Sequence, residues 1–241
     1  MFTAIILLAL GLEAALSSMN YESGSSFILQ NGDQVPKHQF VHYLTEGLLA
    51  HETKVKEFSI NKTVFYSHVY DAHDLSDSKL SIAAINEKHD FVGANLVLNH
   101  AQIHRMFAPD YIEKILVFLL KCYEVTKPNG FANDDGFVSI LRNSNTKAIS
   151  KILLKNTWRK ISAKALLEDK AIYHFLWEIE DPETDSLLKN LGYQRMGCGN
   201  ELKECDWTHV GMREDLARVQ CLYRIKINAK GPLVYQEKIS D

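Results

Sequence analysis

The chain has 241 residues, of which 46% are hydrophobic and 24% charged, and its net charge at pH 7 is -3. That length fits one large or two small domains and supplies enough apolar residues for a true core. A slightly acidic balance offers none of the basic excess that nucleic acid or an anionic membrane surface requires, and the sequence shows neither a low-complexity tract nor an internal repeat.

Residues 1–18 stand apart. Phe2 to Leu12 is almost wholly apolar, and Ala15-Leu16-Ser17 places small residues where a signal peptidase would read them. No Lys or Arg precedes the run, Glu13 sits near its end, and Met19 would serve as the start of a shorter product. A cleaved signal or anchor and an extension without a role both stay open, and the run is short for a membrane span. Residues 19–241 are read as a single domain.

Ser25 to Leu29 reads as a first strand, ended by the turn Asn31-Gly32-Asp33. Pro36 then opens a helix with Phe40, Val41, Leu44 and Leu48 on one face, followed by a polar tail, Ala50 to Lys56. Leu80 to Ile85 and Phe91 to Leu98 form two apolar runs separated by a polar loop of hairpin length. Gly93 within the second run marks a bulge or a place where another backbone comes close. Ile112, Ile115, Leu116, Leu119, Leu120 and Tyr123 repeat at helical spacing until Lys127-Pro128-Asn129-Gly130 stops them.

The stretch from Asp135 to Asn156 organises the rest. Phe137, Val138, Ile140 and Leu141 make a buried strand, Arg142 to Lys147 a polar turn, and Ile149, Ile152 and Leu153 the apolar face of a helix reaching about Lys160. A strand feeding a helix in this way points unpaired backbone N–H groups outward, where they suit a phosphate. An ordinary βα unit in a core would read the same way. Lys164 to Lys170 is ambiguous, and Ala171 to Ile179 reads as a strand. Asp181-Pro182 caps and opens a helix closed by Gly192. Tyr193 to Met196 is a short strand, Gly197 to Glu214 a loop-rich insertion, and Val219 to Ile227 the last strand. The order predicts a mixed α/β domain.

The four cysteines, Cys122, Cys198, Cys205 and Cys221, contain no C-x-x-C pair, so a metal site is not expected. In a secreted chain they would permit two disulfides, and Asn61-Lys62-Thr63 would be a glycosylation sequon; in the cytosol they would be thiols.

The order and spacing of these segments resemble the GNAT N-acetyltransferases, in particular the animal arylalkylamine N-acetyltransferase-like branch, over roughly Ser25 to Ile227. FVGANLV is similar to that family's third strand, and LLKNLGYQRM to the end of its fourth helix with its sixth strand. The resemblance implies a central mixed, mostly antiparallel sheet flanked by helices, acetyl-CoA as cosubstrate and a small amine as acceptor. It also places the pyrophosphate-binding turn at Asn145, Thr146, Lys147, Ala148, Ile149 and Ser150, and assigns the backbone of Val138 to Ile140 to the pantetheine arm. Asn145, Ala148 and Ser150 stand where the family uses Gln or Arg, Gly, and Gly or Ala. The methyl of Ala148 would crowd a phosphate, while Lys147 and the hydroxyls of Thr146 and Ser150 would compensate in part. Glu52 matches the branch's base, without the Pro and Leu that follow it there, and Ser186 stands near a catalytic serine of some relatives. Tyr193 reads as core.

Three functions are therefore weighed: an N-acetyltransferase of the cytoplasm, a GNAT-like domain with a weakened donor site that acts as a binding or scaffold protein, and a secreted, disulfide-linked binding protein. The acceptor amine is not legible in the sequence, because loops build its pocket.

Overall fold

Side-chain alternation along the strands sets the layering. In the computed structural model, which describes residues 26–51, 58, 60–103, 110–126 and 136–228, β3 (Phe91–Asn99) sends Leu96 and Leu98 to one face and Val97 to the other. The remaining strands are β1 (Phe27–Asn31), β2 (Ile82–Asn86), β4 (Gly136–Ser144), β5 (Ile172–Ile179), β6 (Gln194–Cys198) and β7 (Gln220–Ile227). They form one sheet in the order β1-β2-β3-β4-β5-β7-β6. Every pairing is antiparallel except β4 with β5. The expected mixed, mostly antiparallel sheet is what the chain builds.

Helices cover both faces. On one lie α1 (Lys37–His51), α2 (Lys62–Leu75) and α3 (Asp110–Thr126), whose Phe40, Leu44, Phe65, Val69, Leu119 and Tyr123 bury against Leu96, Leu98, Val138 and Phe175. On the other lie α4 (Lys147–Leu167) and α5 (Pro182–Asn190). Ile149, Ile152 and Leu153 of α4 pack on Phe27, Ile82 and Ala84, and Ile161 and Ala165 on Val97 and Phe137. This second contact carries α4 past the expected end near Lys160, to Leu167. Among the described residues no helix is long and apolar enough to cross a membrane.

Gly93 fixes where α4 begins. A Cβ there would stand 2.5 Å from Ile149 Cγ2 and 3.0 Å from Leu153 Cδ1, so the first turn of the helix lies on the glycine. Side chains of a helix, not another backbone, make the approach expected at Gly93, and the register of β2 against β3 shifts beside it, between Ala84 and Ile85, as the bulge alternative has it. The first turn of α4 is the polar segment that the sequence marks for anion binding, so Gly93 sets its height above the sheet.

Between Lys56 and Leu80, where the pattern in the sequence announces no element, stands α2. Its signal is an N-cap followed by an apolar stripe: the Asn61 side-chain oxygen accepts from the amides of Thr63 (2.9 Å) and Val64 (3.3 Å), and Phe65, His68, Val69 and Ala72 are buried. The Asn of the sequon is thus a helix cap. Asn61→Ala should lower the unfolding free energy by about 1 kcal/mol, seen as a lower urea midpoint at unchanged slope.

The cysteines divide. Cys198 and Cys221 face each other across β6 and β7 and form a disulfide, whereas Cys122 and Cys205 are buried thiols. Residues 1–18, Glu52 and Lys127 to Gly130 lie outside the described residues.

Candidate functional site

β4 and β5 pair only from Gly136↔Tyr173 to Ser139↔Leu176. Beyond that pair both strands continue, to Ser144 and Ile179, without pairing to each other. A parallel pair that separates in mid-sheet leaves main-chain edges without a neighbouring strand. Ile140 sits at this point, at the register shift between Leu96 and Val97 of β3, while Val138 is still paired on both sides, with Leu98 and with Phe175.

A cavity of about 470 Å³ occupies the gap, and residues from both faces of the sheet line it. On the α1–α3 face its wall is apolar and aromatic: Leu48, Phe65, Leu116, Leu119, Trp177 and Trp207. The two indoles meet edge to face at 5.3 Å, and Phe118 packs on Trp207 at 4.9 Å, so the wall is rigid. On the α4–α5 face the wall is polar: Ser139, Arg142, Lys147, Glu178, Asp181 and Thr184. Arg142 belongs to that face because it lies opposite Asn95, whose amide reaches Thr157 on α4.

Ion pairs tie the two sides of the gap together on the polar face. Arg142 Nη2 lies 2.6 Å from Glu178 Oε2, and both side chains are mostly buried. Lys147 Nζ lies 3.2 Å from Asp181 Oδ1, and Lys151 pairs with Glu183 further out. Asp181 also caps α5 by accepting from the Thr184 hydroxyl (2.8 Å) and amide (3.0 Å). Those bonds, with the Lys147 ammonium, hold its carboxyl below the usual aspartate value. The cations suited to an anion at this helix start are therefore already matched with carboxylates.

The turn from Ser144 to Ser150 uses some of its own groups. The Thr146 hydroxyl accepts from the Ile149 amide (3.2 Å), and the Ser150 amide makes the first helical bond, to the Thr146 carbonyl (3.1 Å). The amides of Lys147 and Ala148 are left as the outward donors of the helix start. Asn145 is pinned from both sides: its amide donates to Val92 O (2.9 Å), and its side-chain oxygen accepts from Tyr43 (2.9 Å). Asn145, Thr146, Lys147 and Ala148 are exposed, Ser150 is half-buried and Ile149 is buried. Ser186 is exposed on α5 and does not line the cavity.

Arg142, Glu178, Trp177, Trp207 and the α3 residues carry the cavity but have no motif. The α3 residues show only helical spacing, Glu178 is a lone charge near the end of an apolar strand, and Arg142 reads as the start of the polar turn, whereas β4 carries it and runs on to Ser144.

No protein-family model matches the sequence, and no curated protein matches it significantly. Solved structures do. The Aedes aegypti protein named arylalkylamine N-acetyltransferase 7 superposes with a TM-score of 0.59 at 11% identity, over 88% of this chain and 92% of that one. Arylalkylamine N-acetyltransferase 2 of Aedes aegypti gives 0.52 at 14% identity, over 84% and 99%. The mosquito arylalkylamine N-acetyltransferase like 5b gives 0.53 at 13%, over 83% and 100%. These likenesses show that the chain has the GNAT acetyltransferase fold.

Proposed function

We propose that the protein is an N-acyltransferase that moves an acetyl group from acetyl-CoA to a small arylalkylamine. The observation that carries this reading is the single cavity reaching both faces of the sheet through the gap between β4 and β5. An extended pantetheine arm entering from the α4–α5 face would meet the free main-chain edge near Ile140. The diphosphate would rest on the amides of Lys147 and Ala148 and on the Lys147 ammonium. From the opposite face, the apolar wall of Leu116, Leu119, Trp177 and Trp207 suits an aromatic ring. The gap brings amine nitrogen and thioester carbon together, which is most of what such a reaction asks of a protein. Glu52 is proposed as the base on the resemblance alone. The donor is a cytosolic metabolite, which favours a cytoplasmic setting, whereas the Cys198–Cys221 bridge favours an oxidising one.

The ion pairs across the gap favour a second reading, a domain of this fold whose donor side is held shut and which serves as a binding protein. Calorimetric titration with acetyl-CoA separates the two. Under the enzyme reading binding saturates. Asp181→Asn, which keeps the cap but releases Lys147, then tightens it by about 1 kcal/mol, roughly fivefold, and Lys147→Glu weakens it by at least as much. No binding heat in any of the three proteins would support the second reading.

A further inference from the structure

Ser139, the last residue of β4 to pair with β5, is buried, lines the cavity, and ends a chain of polar groups that runs through the sheet. Its Oγ lies 2.9 Å from His174 Nε2 and 3.2 Å from Asn95 Nδ2. His174 Nδ1 lies 2.5 Å from the Tyr193 hydroxyl, and Asn95 Nδ2 also reaches Thr157 Oγ1 at 2.7 Å. Burial, helped by the Arg142 charge, pulls His174 down to about 3, so the ring is neutral and carries one N–H. Burial raises Tyr193 as well, so its phenol keeps its proton.

A neutral ring permits two directions of donation. If Ser139 donated to Nε2, Nδ1–H would donate to Tyr193, and the phenolic hydrogen would be left without an acceptor among the described residues, in a side chain that is 4% exposed. In the opposite direction Tyr193 donates to Nδ1, Nε2–H donates to Ser139 Oγ, and Asn95 donates to the same oxygen. The hydrogens of Tyr193, His174 and Asn95 are then matched, both lone pairs of Ser139 are used, and its one hydrogen is left to point at the cavity. Turning the Asn95 amide over would give the Thr157 hydroxyl an acceptor but leave both Asn95 N–H donors unmet in place of one acceptor, so the amide is taken with Nδ2 toward Ser139 and Thr157.

We propose that Ser139 is a hydrogen-bond donor aimed into the gap at the carbonyl oxygen of the bound thioester, and that His174 and Tyr193 are positioning residues that set its direction. The assignment rests on the acyl-transfer reading. As the amine nitrogen bonds to the carbonyl carbon, negative charge gathers on the oxygen facing Ser139. The C–S bond then breaks, the sulfur leaves with the bonding pair as a thiolate, and it takes up the proton that the nitrogen loses. Ser139 keeps its own proton throughout.

Two measurements on the whole protein test this. Nitrogen-15 NMR of the unliganded protein should find His174 as the Nε2–H tautomer with a bare Nδ1. With carbonyl-labelled acetyl-CoA bound, the thioester C=O infrared band should move to lower wavenumber and return toward its free position in Ser139→Ala. The kcat of that variant should fall roughly a hundredfold to a thousandfold, with Ser139→Thr recovering part of the loss and the acceptor KM unchanged in both. An Nδ1–H tautomer, or an unmoved carbonyl band in a protein that binds acetyl-CoA, overturns this assignment and leaves the proposed function standing. Failure to bind acetyl-CoA at all overturns both.

Discussion

Leu119→Trp should cut turnover of an arylalkylamine steeply while leaving acetyl-CoA bound. Leu119 projects from α3 into the apolar half of the cavity, on the face of the sheet away from Lys147 and the start of α4. An indole there occupies the space that the proposal gives to the acceptor's ring. Excluding a ring of about 100 Å² from an apolar wall forfeits about 2 to 3 kcal/mol of transition-state binding, on the order of a hundredfold in kcat/KM. The donor side is built from other residues, so the acetyl-CoA Kd should change by less than about twofold, within the error of one calorimetric experiment. Phenylethylamine and tryptamine are suitable probes, because the larger ring should suffer more. Equal loss of donor binding would mean that the two halves are not separate compartments.

The second large effect is on stability. Cys198 and Cys221 are separated by 23 residues in sequence and close the segment that carries Cys205, Trp207, Met212 and Ala217 into the core. Closing a loop of that length removes about 3 kcal/mol of chain entropy from the unfolded state. The double variant Cys198→Ser, Cys221→Ser should lose about that much in urea unfolding, and because Trp207 belongs to the clamped segment its fluorescence should report a looser cavity wall. A loss below about 1 kcal/mol would show that β6 and β7 are held by pairing and packing alone.

What was readable in the sequence follows from how far apart the cooperating residues are. The α3 helix was legible because Ile115, Leu116, Leu119 and Tyr123 carry its periodicity within a few turns, and the hairpin of β2 and β3 because one short polar loop separates two apolar runs. The α2 helix was not assigned: its buried stripe includes His68 and small Ala72, which dilute the apolar pattern, and its clearest mark is the single capping Asn61. The strand-to-helix pattern marked the turn after β4 as a place for an anion, and the resemblance alone made Asn145 to Ser150 a candidate pyrophosphate site, yet nothing in those residues announces that Lys147 will be paired with Asp181, 34 positions on. Arg142 with Glu178, and Ser139 with His174 and then Tyr193, are likewise products of strand register. Four cysteines allow three pairings, so the Cys198–Cys221 bridge also had to come from the register of β6 against β7.

The gap between β4 and β5 is what the whole functional account uses, and a crystal structure with acetyl-CoA examines it without reference to turnover. Pantetheine should run between the two strands past Ile140, with the thioester beside Ser139 and the diphosphate on the amides of Lys147 and Ala148, the Lys147–Asp181 pair opened. A ligand bound elsewhere on the surface, with the Arg142–Glu178 and Lys147–Asp181 pairs intact across an empty gap, would contradict it.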